Sequence, residues 1–335
     1  MENAAALTNL AIIGGGSWGT ALAIVLAPRF ERVRLWVYES DLVERMCASR
    51  VNDVYLPGFI LPANVEPQNE CASTVEGAEI VLGVMPSHLA RPLYQQLAPH
   101  LTPSMHLVSA TKGLEQGTLM RMSEVMAAVL GHPRVAVISG PTFAREVARG
   151  DPTALVVAST DPELARTIQS AFSGPTFRLY TSSDPVGVEV GGAVKNVVAI
   201  GAGVCHGLSM GHNSVAALIT RGLAEISRLT LAMGGQSKTL AGLAGLGDLV
   251  LTCTGELSRN RMVGIELAKG RKLEKIVNSM KMVAEGIKTT TATVDLARRY
   301  SVEMPITQQM HAMLYAGRSP KEAIRQLMER SLKQE

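Results

Sequence analysis

Leu10-Ala11-Ile12-Ile13-Gly14-Gly15-Gly16-Ser17-Trp18-Gly19-Thr20-Ala21-Leu22 is the stretch on which the fold turns. Four apolar residues without alternation predict a strand buried on both faces. Gly14, Gly16 and Gly19 then fit G-x-G-x-x-G, and the residues after them, Gly19–Leu26, carry a helical pattern. A second apolar run, Val33–Val37, ends near Glu39. A glycine turn between a strand and a helix in a βαβ unit is the dinucleotide-binding fingerprint. The glycines permit a tight turn and close approach of backbone N–H groups to a diphosphate, and the helix N-terminus adds positive potential. Glu39 lies 20 residues after Gly19, where a carboxylate can accept from a ribose 2′-hydroxyl. That favours NAD over NADP, with Arg45 or Arg50 as candidates to offset the repulsion of a 2′-phosphate.

Outward from this stretch the rhythm continues. Apolar runs at Ile80–Val84, His106–Ala110, Val135–Ser139 and Ala154–Ala158 alternate with helical segments at Leu89–Leu97 and Thr118–Leu130. The expectation is an α/β fold, a Rossmann-type doubly wound sheet. After Asp184 strand-like runs nearly vanish, and helix formers dominate segments such as Ser214–Met233 and Pro320–Leu332. A dinucleotide-binding domain over residues 1–185 and a mostly α-helical C-terminal domain over 186–335, for substrate binding and catalysis, are therefore expected. The length of 335 residues suits two domains of roughly 150 residues each. Gly187, Gly191, Gly192, Gly201 and Gly203, on one predicted helix, would let a neighbouring backbone come close.

Composition narrows the function. A net charge of +3, with no dense basic stripe, argues against a nucleic-acid partner. Cys47, Cys71, Cys205 and Cys253 lie far apart and show no zinc spacing, so reduced thiols, a cytoplasmic setting and no metal are expected. The start at Glu2 has no basic region of the kind a signal peptide carries. The most apolar later stretch, Val186–Val204, contains Glu189, Lys195 and Asn196, which predicts a buried helix and not a membrane span.

Ligands of open α/β sheets bind beyond the carboxyl ends of the strands. Met85-Pro86-Ser87-His88, Thr111-Lys112-Gly113 and Gly140-Pro141-Thr142 occupy such ends. Lys195 sits among apolar residues in Gly191–Val198, where burial would lower its pKa and suit it to donate a proton to a developing alkoxide. Leu246-Gly247-Asp248-Leu249 places a carboxylate in an apolar run, and Lys195 is a candidate partner for it. Ser258-Arg259-Asn260-Arg261 combines hydroxyl, guanidinium and amide, a set suited to phosphate. Each of these also has a plainer structural reading: a surface lysine, a lysine reaching to water, a turn cap, a capping serine. From the residues alone the reading stops at a dehydrogenase of a small anionic substrate.

Seven segments carry a family resemblance: Gly14–Ala23 (GGGSWGTALA), Ala110–Leu114 (ATKGL), Ile138–Ala144 (ISGPTFA), Gly191–Gly203 (GGAVKNVVAIGAG), Leu218–Glu225 (LITRGLAE), Ala244–Thr254 (AGLGDLVLTCT) and Ser258–Arg261 (SRNR). Together, in order from about residue 8 to 330, they resemble bacterial-type NAD(P)-dependent glycerol-3-phosphate dehydrogenase. The resemblance implies interconversion of dihydroxyacetone phosphate and sn-glycerol 3-phosphate with NAD or NADP as cofactor, feeding glycerophospholipid synthesis. It implies Lys195 as proton donor and acceptor at the substrate C2 oxygen, Lys112 holding that oxygen, and Asp248 bonded to Lys195 and a substrate hydroxyl. Gly140 and Thr142 would contact substrate, and Ser258, Arg259 and Asn260 would hold its phosphate. Gly14, Gly16, Ser17, Trp18, Gly19, Tyr38, Lys112, Ala144, Arg259, Val283 and Glu285 would line the cofactor site. Two departures stand out. Tyr38 occupies a position where relatives often carry Arg or His, and Gly211-His212-Asn213-Ser214, expected as a loop, has His and Ser where relatives often show Asp and Lys. A related two-domain 3-hydroxyacid dehydrogenase is the alternative, and a homodimer is compatible with either.

Overall fold

The structure, a computed structural model, describes residues 7–132, 134–280, 282–332 and 334; the sequence reading of Glu2 lies outside them. Eight strands form one sheet in the order β3-β2-β1-β4-β5-β6-β7-β8. They are β1 Asn9–Ile13, β2 Arg32–Trp36, β3 Val65–Gln68, β4 Ile80–Gly83, β5 His106–Ser109, β6 Val135–Ser139, β7 Thr153–Ala158 and β8 Phe177–Ser182. All neighbours are parallel except β6 and β7, which run antiparallel. The order reverses between β1 and β4, so the crevice of the switch point opens beside the glycine turn.

Alternate residues of β1 serve opposite faces. Leu10 and Ile12 pack with Leu22 and Leu26 of the Ser17–Leu26 helix and with Leu35 of β2. Ala11 and Ile13 pack with Leu93, Tyr94 and Leu97 on the other side. Both faces are thus covered by helices, which is why the strands read as unbroken apolar runs. The Ala154–Ala158 run reads the same way although its strand is antiparallel to β6: Leu155 and Val157 are buried on one face, and Ala158 is buried with Ala154 and Val156 half-buried on the other.

The sequence reading missed β3 and β8, both edge strands. β3 is Val65-Glu66-Pro67-Gln68, short, charged and interrupted by a proline that only an edge tolerates. β8 alternates, with Phe177 and Leu179 buried and Arg178 and Tyr180 exposed, because one of its faces meets solvent. The helix expected from Thr118 begins at Met122: Leu119 takes a left-handed φ of 63°, and Arg121 with Glu124 closes a capping box.

The central element of the C-terminal half is the 23-residue helix Pro185–Gly207, buried from Gly187 to Cys205. By length and composition it could cross a membrane, but its apolar window is wholly covered by protein. Asp184 starts it, accepting from Gly187 N (2.9 Å), Gln236 N (2.9 Å) and Thr239 Oγ1 (2.6 Å). Its glycines admit neighbours at backbone distance. A Cβ on Gly203 would overlap the Arg261 carbonyl, and one on Gly264 would overlap that of Ile200. The Arg259–Ala268 helix therefore crosses it with no side chain between, which sets Asn260 beside Asn196.

A second buried carboxylate fixes the outer helices. Glu225, on the His212–Ala232 helix, accepts from Ile306 N (2.6 Å), Thr307 N (3.1 Å) and Thr307 Oγ1 (3.1 Å), the free donors at the start of the Pro305–Tyr315 helix. Replacing Glu225 with alanine strands these buried donors, and a loss of about 2–4 kcal/mol is expected from leaving them without an acceptor. Urea unfolding measures it; an unchanged midpoint would refute the role. The segment from Gly211 to Ser214, expected as a loop, is the start of this helix: Gly211 is its N-cap and His212 its first residue.

Candidate active site

The glycine turn is built as the sequence implies. Gly14 has φ +128°, and a Cβ there would lie 2.7 Å from the Val84 carbonyl oxygen. Gly19 touches the Gly14 carbonyl so closely that no side chain fits. Gly16, the N-cap of the Ser17–Leu26 helix, faces open space; no side chain caps the helix and no acidic residue sits in its first turn. Uncapped N–H donors behind an open glycine are a cradle that a dinucleotide diphosphate fits. Trp18 Nε1 beside them is buried and has no partner among the described residues.

A segment that the sequence reading did not single out braces this turn. Asn52, fully buried, donates to the Gly15 carbonyl (2.8 Å) and Thr20 Oγ1 (2.9 Å) and accepts from Tyr55 N (2.9 Å). Ser17 Oγ donates to the Tyr55 carbonyl at 2.7 Å. The Tyr55 hydroxyl donates to Glu39 at 2.6 Å. Nothing marks a lone Asn or Tyr in a loop before the fold brings it to the turn. Tyr38 stands beside Glu39, 79% exposed. The two arginines expected to offset Glu39 are engaged elsewhere. Arg45 pairs with Asp41 (2.7 Å) and Asp53 (3.1 Å), and Arg50 donates to the carbonyls of Pro62 and Val65.

Beyond the strand ends, two lysines converge on one carboxylate. Lys112, just past β5, donates to Asp248 Oδ2 (2.8 Å), the Gly140 carbonyl (2.9 Å) and Thr142 Oγ1 (3.3 Å). Lys195, from the middle of the central helix, donates to Asp248 Oδ1 and to Thr252 Oγ1 (2.8 Å). Asp248 is the first residue of the Asp248–Thr254 helix and has no exposed surface. Thr252, one turn on, returns its own proton to the Asp248 carbonyl at 2.6 Å. Burial pushes the Lys195 pKa down to about 7; the charge of Lys112 acts in the same direction and Asp248 opposes both. Lys195, a candidate partner of Asp248 from the sequence, does pair with it, and Lys112 shares the same carboxylate.

The third group enters from the Arg259–Ala268 helix. Ser258 caps it, accepting from Arg261 N at 3.2 Å, which leaves the hydroxyl proton to donate. The Asn260 amide is spoken for: its Nδ2 donates to Asn196 Oδ1 and its Oδ1 accepts from Gly286 N, both at 2.9 Å. The Arg259 side chain is exposed and forms no hydrogen bond or ion pair with the described residues; the Glu285 carboxylate acts on it only through its charge, so its guanidinium fork is available. With Leu257, Ser258, Met262 and Met282 it lines a groove of about 200 Å³. Glu285 accepts from Ser87 N (3.1 Å) and Ser87 Oγ (2.6 Å), tying the Glu285–Arg299 helix to the turn after β4. Burial raises its pKa. Ala144 opens the Ala144–Arg149 helix after β6, and Val283 is 39% exposed. A larger hollow of about 480 Å³ lies elsewhere, along Arg298, Ser301 and His311, and contains none of these residues.

An open dinucleotide cradle, a buried amine of lowered pKa and a free guanidinium define an NAD(P)-dependent oxidoreductase of Rossmann fold. Residues 9–165 match the family described as NAD-dependent glycerol-3-phosphate dehydrogenase N-terminus, and residues 184–325 match the C-terminus of the same family. The chain is 59% identical to glycerol-3-phosphate dehydrogenase [NAD(P)+] of Koribacter versatilis, over 97% of this chain and 98% of that one. It is 53% identical to the enzyme of that name from Syntrophotalea carbinolica, over 98% and 99%. The crystal structure of glycerol-3-phosphate dehydrogenase from Coxiella burnetii superposes with a TM-score of 0.93 at 41% identity, covering 97% of this chain and 99% of that one. The chain belongs to the NAD(P)-dependent glycerol-3-phosphate dehydrogenase family. It is an enzyme acting on a small phosphorylated substrate, and the 3-hydroxyacid alternative is not favoured.

Proposed function

We propose that Lys195 is the proton donor and acceptor with which this chain reduces dihydroxyacetone phosphate to sn-glycerol 3-phosphate and runs the reverse reaction. Residues 1–185 hold the dinucleotide and residues 186–335 supply the proton and the phosphate contacts. The observation that carries the reading is the buried carboxylate of Asp248 shared by Lys112 and Lys195. When bound, the nicotinamide supplies the two-electron chemistry. The side chains do the rest. Lys195 meets the C2 oxygen and delivers a proton as charge develops on it. Lys112 holds the same oxygen electrostatically, and Gly140 and Thr142 line its approach. Asp248 keeps both ammonium groups in place and accepts from a substrate hydroxyl. Arg259 takes the phosphate as a bidentate fork, with Ser258 and Asn260 behind it. Gly14, Gly16, Ser17, Trp18 and Gly19 line the diphosphate end of the cofactor cleft; Tyr38, Ala144, Val283 and Glu285 line the remainder. Four free thiols support a cytoplasmic setting, where the product would supply glycerophospholipid synthesis.

The test is oxidation of NADH and of NADPH on addition of dihydroxyacetone phosphate, run from pH 6 to 9. No turnover with either sinks the proposal. The pH dependence has a sign. Only protonated Lys195 can donate, and its pKa lies near 7, so the initial rate of reduction is expected to fall as pH rises through that value. Oxidation of glycerol 3-phosphate needs the neutral amine and is expected to rise over the same range. A reduction rate that climbs with pH would remove Lys195 from the role.

A further inference from the structure

Asn52–Tyr55 touches both ends of the adenosine half of the cofactor cleft. At one end Asn52 and the Tyr55 carbonyl hold Gly15 and Ser17, where the diphosphate is cradled. At the other end the Tyr55 hydroxyl holds Glu39 Oε1 at 2.6 Å, where the ribose is expected. We propose that Tyr55 is a specificity-determining positioning residue: it fixes the Glu39 carboxylate with one oxygen engaged and the other directed to a ribose 2′-hydroxyl, so that the site selects NADH over NADPH. The inference rests on the dinucleotide reading of the glycine turn.

The argument begins with Glu39 itself. It is the N-cap of the Ser40–Ser49 helix, but its side chain makes no capping bond. Without Tyr55 the carboxylate would sample several rotamers at a partly exposed strand end. Holding it in advance removes that ordering cost from the binding step, which is preorganisation. The tyrosine remains a donor throughout, since the bond to Glu39 pushes its pKa up to about 12. Selection against a 2′-phosphate follows from charge. Such a group would sit against a fixed carboxylate, while the nearby cations are committed. Arg45 is bound to Asp41 and Asp53, and Arg50 to backbone carbonyls. Tyr38, the exposed neighbour, brings no charge.

The experiment is equilibrium binding of NADH and NADPH to the full chain without substrate. The signal is energy transfer from its two tryptophans, Trp18 and Trp36, to the reduced nicotinamide. The wild type is expected to bind NADH at least tenfold more tightly than NADPH. Tyr55→Phe, checked by thermal melting to be folded, is expected to weaken NADH about 3- to 10-fold and NADPH by less than twofold, which narrows the ratio. Glu39→Gln is expected to tighten NADPH and weaken NADH. In that background Tyr55→Phe should change the ratio no further, as two residues acting through one contact require. Equal weakening of both dinucleotides by Tyr55→Phe would reveal a merely structural residue and overturn the proposal. So would a wild type that binds NADPH as tightly as NADH. Because no dihydroxyacetone phosphate is present, failure here is distinct from failure of the proposed reaction.

Discussion

Replacing Lys195 with methionine is expected to lower kcat for dihydroxyacetone phosphate reduction by about 10²–10⁴, the usual contribution of one general acid. Methionine fills much of the same space on the buried central helix and removes only the charged nitrogen, so the fold is expected to survive. Asp248 keeps Lys112 as a partner, and no buried anion is left alone. Rapid-mixing single turnovers separate this loss from a change in substrate release. The glycine turn lies on other elements, and binding of reduced dinucleotide to the variant is expected to stay within about twofold, since no contact to Gly14–Gly19 is altered. A variant retaining more than a tenth of the wild-type single-turnover rate would show that the proton comes from elsewhere.

Asp248→Ala is expected to be the most damaging single change for stability. The carboxylate has no exposed surface and is the shared counter-ion of two amines, one of which, Lys195, is nearly as buried. Removing it takes the counter-ion from both amines, so that Lys195 must either face the charge of Lys112 or give up its proton, and breaking a buried pair in this way costs about 3–5 kcal/mol. Asp248→Asn separates charge from shape. It retains a carbonyl acceptor but removes the charge that raises the Lys195 pKa. The decline of reduction with rising pH should therefore move to lower pH than in the wild type. Denaturant melts of the alanine variant and pH profiles of the asparagine variant check the two halves. A profile that stays in place would mean that Asp248 does not govern the protonation of Lys195.

How much of this could be read in advance depends on locality. The glycine turn, the inner strands and the buried lysine were legible because each is written in a contiguous pattern: an apolar run, a G-x-G-x-x-G spacing, a cation amid Val and Ala. β3 and β8 were not, because edge strands lack the pattern of interior ones. Lys112, Lys195 and Asp248 could each be suspected alone. Their common meeting point, with one carboxylate between two amines, depends on a separation of 136 residues for one bond and 53 for the other, which no local pattern encodes. Asn52 and Tyr55 gave no signal at all, since an amide and a phenol in a loop acquire meaning only from what the fold lays beside them. The Asn260 amide was read as a phosphate contact, and its bonds to Asn196 and Gly286 leave it fewer free hydrogen-bonding groups than the sequence suggests.

Where Gly203 and Gly264 meet, the two helices interlock, because any side chain at either position would drive a Cβ into a carbonyl of the other helix. The amine on one helix and the guanidinium on the other are consequently like two marks on one ruler, and their spacing is not adjustable by small mutations. Any attempt to retune this scaffold for longer or bulkier phosphorylated ketones should leave that junction alone. Met262, pliable and half-exposed in the lining of the groove, is where room can be made, whereas Met282 accepts from Ser17 Oγ in the cofactor cradle.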